Sequence, residues 1–137
     1  IHTALISQIA DQQEAPVWQE VSSAGQLPQR RHAHSAVVYS GRMYIFGGIT
    51  DTSVYLNDLV EYNYGIFVHL QFASYVQNFF ILFVLGNERW SRVKTAGHPP
   101  IARHSHSALV YQDSMYVFGG STGDEIDNII YEYIFGN

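Results

Sequence analysis

The chain of 137 residues is 47% apolar, 15% aromatic and 14% charged, which excludes a disordered chain; ten Tyr and eight Phe favour strands over helices. A net charge of −5 and seven scattered Lys and Arg give no basic stripe, so a nucleic-acid partner is not expected. The absence of Cys excludes a disulfide scaffold and a Cys-based zinc site and fits a reducing compartment; a cytoplasmic setting is expected, with a nuclear or endomembrane-associated one as the alternative.

Residues 1–17 read as a flank, and Ile1 to Ala10 lacks the basic start of a secretory signal. Trp18 opens a unit that runs to residue 64. His34 to Tyr39 is a first short β-rich run, Ser40 to Arg42 a turn, and Met43 to Phe46 a second strand stopped by Gly47-Gly48. A polar loop, Thr50 to Val54, leads to a third strand over Asp58–Tyr64. Trp90 to Thr95 makes a fourth, ended by Ala96-Gly97 and Pro99-Pro100. The same order then begins again: Trp18–Thr50 matches Trp90–Thr122 at a constant offset of 72, with 18 identities in 33 positions. One structural unit is therefore present twice. Four short antiparallel strands joined by turns make one propeller blade. The chain is thus expected to be all-β: about two four-stranded blades, with residues 88–137 a truncated second unit that ends where another Trp-bearing strand is due. Trp18 itself is expected on the fourth strand of a preceding blade.

The paired glycines, the Tyr and Trp spacing and Pro-x-x-Arg-x-x-His before the first strand (Pro28, Arg31, His34; Pro100, Arg103, His106) resemble the Kelch-repeat family. The resemblance covers residues 18–64 and 88–135. The stretches Gly97–Tyr111 and Met115–Asp124 are similar to the leucine-zipper-like regulators of the BTB-Kelch type. The resemblance implies a partial Kelch β-propeller serving as a protein-interaction module. It further implies substrate recognition for a cullin-type ubiquitin ligase or, as the alternative, a cytoskeletal or trafficking scaffold. Another protein is the implied partner, and no cofactor and no enzymatic activity are expected. The oxidases that use a Kelch-like propeller need a Cys-linked Tyr, which this chain cannot form.

Residues 65–87 interrupt the pattern. No charged residue occurs from Tyr62 to Asn87 apart from a titratable His69, and by composition alone this is a membrane-span candidate. Position opposes that reading, because the segment joins two strands that must pair at ~4.8 Å. Removing Gly65 to Leu85 reduces the Trp-to-Trp spacing from 72 to 51, near the family's period of ~50. The run Phe79–Leu85 suits the T-rich codons of a splice-acceptor tract, and the segment's ends suit GT and AG boundaries. The sequence therefore reads as a translated, unspliced intron, an idea that fails if every mature transcript keeps these codons, with a true inserted loop or an extra amphipathic element as the alternative.

The remaining motifs carry little chemistry. His32-x-His34 and His104-x-His106 would each share one face of a regular strand and chelate a metal, yet their place before the first strand favours a structural role. Gly119-Gly120-Ser121-Thr122-Gly123 lacks the Lys and helix of a phosphate loop. Asp124, Glu125 and Asp127 read as a solvated acidic loop. Gly47, Gly48, Gly119, Gly120, Trp18 and Trp90 are expected to be structural. Binding is expected on the loops that the sheets display, at Arg30, Arg31, His32, Asp51, Thr52, Arg103, His104, Ser121, Thr122, Asp124 and Glu125. Arg31 and Arg103 recur in both units and so also suit structural ion pairs, whereas the unmatched Arg30, Asp51, Thr52, Asp124 and Glu125 suit specificity.

Overall fold

The computed structural model describes residues 16–73, 78–85 and 88–136, all of them strand, turn or loop. Among the described residues ten strands are formed: β1 (Ala24–Gly25), β2 (Ser35–Tyr39), β3 (Arg42–Phe46), β4 (Leu59–Asn63), β5 (Ile66–Ala73), β6 (Asn78–Leu85), β7 (Arg89–Arg92), β8 (Ser107–Tyr111), β9 (Ser114–Phe118) and β10 (Ile130–Ile134). They make a five-stranded sheet of order β1-β7-β4-β3-β2, a three-stranded sheet β10-β9-β8 and a separate β5-β6 pair. The two larger sheets are propeller blades, and they do not close into a ring.

Within the first blade the register follows from a tight turn. Ser40 and Gly41 both take positive φ (46° and 71°), which matches the right-handed twist of the flanking strands and sets Tyr39 opposite Arg42. β3 is covered along Tyr44, Ile45 and Phe46, so it lacks a wet face, whereas β8 and β10 alternate between exposed and half-buried positions. The blades share one core: Val37, Tyr44, Phe46 and Leu59 of the first meet Met115 and Val117 of the second, together with Phe135. Tyr39 stacks on Phe135 at 3.9 Å and donates its hydroxyl to Asp113 at 2.9 Å. Backbone bonds cross the same junction, from Ser105 N–H to the Ala33 carbonyl and from Gly48 N–H to that of Arg103, both at 2.8 Å.

Trp90 lies on β7 opposite Tyr62, their rings 4.9 Å apart. Trp18 differs from expectation: no strand forms at residues 16–23, and Trp18 is 104% exposed. The cause is the neighbour. Trp90 has β4 to pair with and Tyr62 to cover it, and among the described residues Trp18 has neither. Instead Ala24 and Gly25 run parallel to Arg89 and Trp90 and cover the outer edge of β7.

The apolar segment after β4 forms a hairpin, β5 against β6 in a register from Ile66↔Leu85 to Ala73↔Asn78. The chain then returns to the blade, and β7 pairs with β4 from Asn63↔Arg89 to Val60↔Arg92. Among the described residues no helix is long and apolar enough to cross a membrane.

Candidate recognition face

Both units build the same support at one end of the blade. Arg31 donates Nε–H to the Gln29 carbonyl (3.1 Å), one terminal nitrogen to the Gly47 carbonyl (3.0 Å), and both terminal nitrogens to the Asp58 carboxylate (2.6 and 2.9 Å). Arg103 repeats this with the Ile101 carbonyl (3.1 Å), the Gly119 carbonyl (2.9 Å) and Asp127 (2.7 Å), and its guanidinium lies 4.7 Å from the Tyr131 ring centroid. The Arg31 and Arg103 side chains are 4% and 0% exposed. Of the two roles expected for these arginines, the geometry here is that of the structural ion pair: each ties the carbonyl two residues before it and the first paired glycine to an Asp beyond the following loop. Burial raises the Asp58 carboxyl, but its bond to and charge from Arg31, with Arg92, outweigh this and hold it below its ordinary value. The Asp127 carboxyl is likewise held down, by the Ile129 N–H and then by Arg103, against the effect of burial. Asp127 thus belongs to this ion pair rather than to an acidic cluster with Asp124 and Glu125.

The paired glycines take φ of 63° and 98° (Gly47, Gly48) and 73° and 88° (Gly119, Gly120). A Cβ at Gly48 would stand 2.9 Å from the His32 carbonyl oxygen, and one at Gly120 would stand 2.6 Å from that of His104. These close approaches let His32 exchange backbone bonds with Ile49, and His104 with Ser121, at 2.9–3.0 Å. Each loop is then pinned by a hydroxyl. The buried Thr50 Oγ1 accepts from Val54 N–H at 3.0 Å, and Thr122 Oγ1 bonds Glu125 at 3.3 Å. The loops meet at Tyr55, whose ring stacks on His104 at 5.3 Å and also abuts Gly123. Arg30, His32, Asp51, Thr52, Asp124 and Glu125 are exposed on this joined surface, and His104, Ser121 and Thr122 are half-buried. Val54 and Ile126, 50% and 88% exposed, add apolar area.

The metal reading of the histidine pairs does not fit the backbone. Ala33 and Ser105 take φ of 54° and 56°, which breaks the alternation that would put both histidines on one face. His106 is buried, with Nε2 2.8 Å from Ser35 Oγ, while His104 Nδ1 lies 2.9 Å from Ser105 Oγ. Burial, then the Arg103 and His34 charges, push His106 down to about 4, so the ring is neutral at physiological pH. Among the described residues no three His, Asp or Glu converge on a metal position.

Sequence reasoning missed Asp58 and Asp127 as arginine partners, and Tyr55 as the joint between loops. An Asp just before the third strand of each unit was the available signal, but it recurs at an offset of 69 because the second loop is three residues shorter.

A family model described as the KLHDC2/KLHL20/DRC7 Kelch-repeats domain matches residues 12–136. The human leucine-zipper-like transcriptional regulator 1 is 35% identical over 118 residues, covering 86% of this chain and 12% of the relative. Human host cell factor 2 is 32% identical over 131 residues, 82% of this chain and 14% of that protein. The tip elongation aberrant protein 1 of Schizosaccharomyces pombe is 32% identical over 117 residues, 85% of this chain and 9% of the relative. The chain thus spans about a tenth of the length of the curated relatives it matches.

Proposed function

Because the chain belongs to the Kelch-repeat family, whose repeats in general bind other proteins rather than catalyse reactions, we propose that it contributes a recognition surface for a protein partner. One observation carries this reading. Residues that match between the units (Arg31 and Arg103) are buried in supporting ion pairs, while those that differ (Arg30, Asp51, Thr52, Asp124, Glu125) are exposed on the joined loops. A repeated frame displaying unrepeated side chains suits selection of one partner. The similarity to leucine-zipper-like regulators supports a finer reading, recruitment of a substrate to a cullin-type ubiquitin ligase in a cytoplasmic setting. The similarity to a protein named for tip elongation favours the second reading, a cytoskeletal or trafficking scaffold.

The test is affinity capture from cells with the full-length protein, comparing the native face with R30E/D51K/D124K/E125K. Loss of at least tenfold in a specific captured protein, with unchanged thermal unfolding, is expected. Unchanged capture overturns the face. Co-capture of a cullin and partner-dependent ubiquitin transfer separate the first reading from the second.

A further inference from the structure

Strands β5 and β6 contain no Asp, Glu, Lys, Arg, Pro or Gly. Their register sorts the residues that remain. Successive positions of a strand alternate between the two faces of a ribbon. The face that runs from the Ile66↔Leu85 pair to the Phe72↔Phe79 pair therefore holds only Ile, Val, Leu and Phe. The polar residues of the two strands, His69, Gln71 and Asn78, all fall on the other face. That division is the pattern of a ribbon with one face packed against a further layer.

The blade sheet does not supply that layer by extending onto the hairpin. Asn63 and Arg89 pair with each other at its base, and among the described residues β5 and β6 form a two-stranded sheet of their own. A two-stranded ribbon is marginally stable in water until something packs on its apolar face. A bilayer is a poor layer, because the backbone groups along both outer edges would stand unpaired in hydrocarbon. An unlike protein surface finds no charge and no polar side chain on this face to select it. The same face of another copy fits. It is uncharged and self-complementary, and two such ribbons stack at ~10 Å. Eight aliphatic or aromatic side chains from each copy bury on the order of 800 Å² per partner, the amount a stable interface needs. We propose that two copies of this chain dock through their β5-β6 hairpins, apolar face on apolar face, about a two-fold axis.

The hairpin leaves the first blade at Asn63, which pairs with Arg42 at the end of the sheet away from the Gly47–Asp58 loop. The contact therefore uses the end of the blade opposite the recognition face and does not depend on what that face binds. An assembly of two copies carries two recognition faces, which raises avidity for a partner that is itself repeated. Leu70 and Ile81 pair with each other near the middle of the apolar face, close to where the two-fold axis must pass. Charges placed there on both copies meet their own kind.

Sedimentation of the 137-residue chain over a concentration series tests this, with the variants L70K/I81K and L70E/I81E on the apolar face and Q71K on the other. The native chain and Q71K are expected to double in mass with concentration. Each double variant alone is expected to associate at least tenfold more weakly, and their equimolar mixture to recover the native mass, because Lys then faces Glu. Recovery in the mixture also shows that both double variants are folded. A native chain that is monomeric at all concentrations overturns the proposal. So does a native chain that floats as a monomer with phosphatidylcholine vesicles, which would assign the hairpin to a lipid surface. Association of both double variants at the native level places the contact elsewhere and overturns it, as does a mixture no tighter than either variant alone.

Discussion

Arg103 donates from all three guanidinium nitrogens inside the protein, so its removal strands Asp127 and the Gly119 carbonyl together. Breaking such a pair by truncating one partner is strongly destabilising. Arg103→Ala is expected to lower stability by on the order of 3 kcal/mol in urea unfolding, whereas the more exposed Arg42, 44% accessible beside Glu61, should cost well under about 1 kcal/mol. His106 gives the pH dependence. Its folded pKa of about 4 lies below the ordinary 6.5, so the unfolded chain takes up a proton that the folded chain refuses. That contribution is fully present above pH 6.5 and is lost as pH falls towards 4. His34, an exposed ring also lowered by partial desolvation and then by Arg31, acts more weakly in the same direction. The urea midpoint is therefore expected to be level above pH 6.5 and to fall between 6.5 and 4, with a shallower fall in H106Q. At this scale the sequence showed that the two arginines recur, since they keep the repeat's offset of 72. It did not show their carboxylate partners, because Asp58 and Asp127 follow loops of unequal length and fall out of register.

Strands and turns were legible because short β-rich runs ended at Gly, Pro or polar residues, and each strand of the first blade lies within a residue or two of the reading, apart from the earlier end of β7. Trp18 was misread for a physical reason: a strand is defined by its neighbour, and no propensity at residues 18–21 supplies one. The glycine pairs are the most constrained points in these elements. Gly120→Ala meets the His104 oxygen at 2.6 Å with φ of 88°, and Gly48→Ala meets the His32 oxygen at 2.9 Å with φ of 98°. Each is expected to cost at least about 2 kcal/mol, more for Gly120, because backbone rather than a side-chain tip must move. Gly41→Ala, with φ of 71° and open space around it, is the control and should cost less. Thermal unfolding of the three variants checks the order. The β5-β6 hairpin is a two-stranded sheet of its own, and β4 and β7 pair with each other on either side of it. Deleting residues 65–85 and joining Tyr64 to Gly86 is expected to preserve the strand signal in circular dichroism and to leave the unfolding midpoint equal or higher. A collapse of the midpoint would show that the hairpin supports the blade.

Repeat proteins gain stability from each unit and from each junction between units, so a junction can dominate when the units are few. Here the junction holds most of the core: Met115 and Val117 of the second blade, 2% and 3% exposed, sit with Val37, Phe46 and Leu59 of the first. Neither blade buries those residues alone, which makes unfolding of one blade a loss for both. Met115→Ala tests this coupling. The substitution lies in the second blade, and removing a buried Met side chain costs about 2–5 kcal/mol. Trp90 reports from the outer edge of the first blade, where it packs on Tyr62. In a W18F background, Trp90 fluorescence is expected to lose its native signal at a lower urea concentration when Met115 is cut back, with a single transition shared by circular dichroism. If Trp90 kept its native midpoint while the total strand signal fell in two steps, the blades would be independent units. Loops displayed on the second blade could then not be held in place by the first. The joined face at Tyr55, His104 and Gly123 requires the opposite, because it spans the junction and holds its shape only while both blades stay docked.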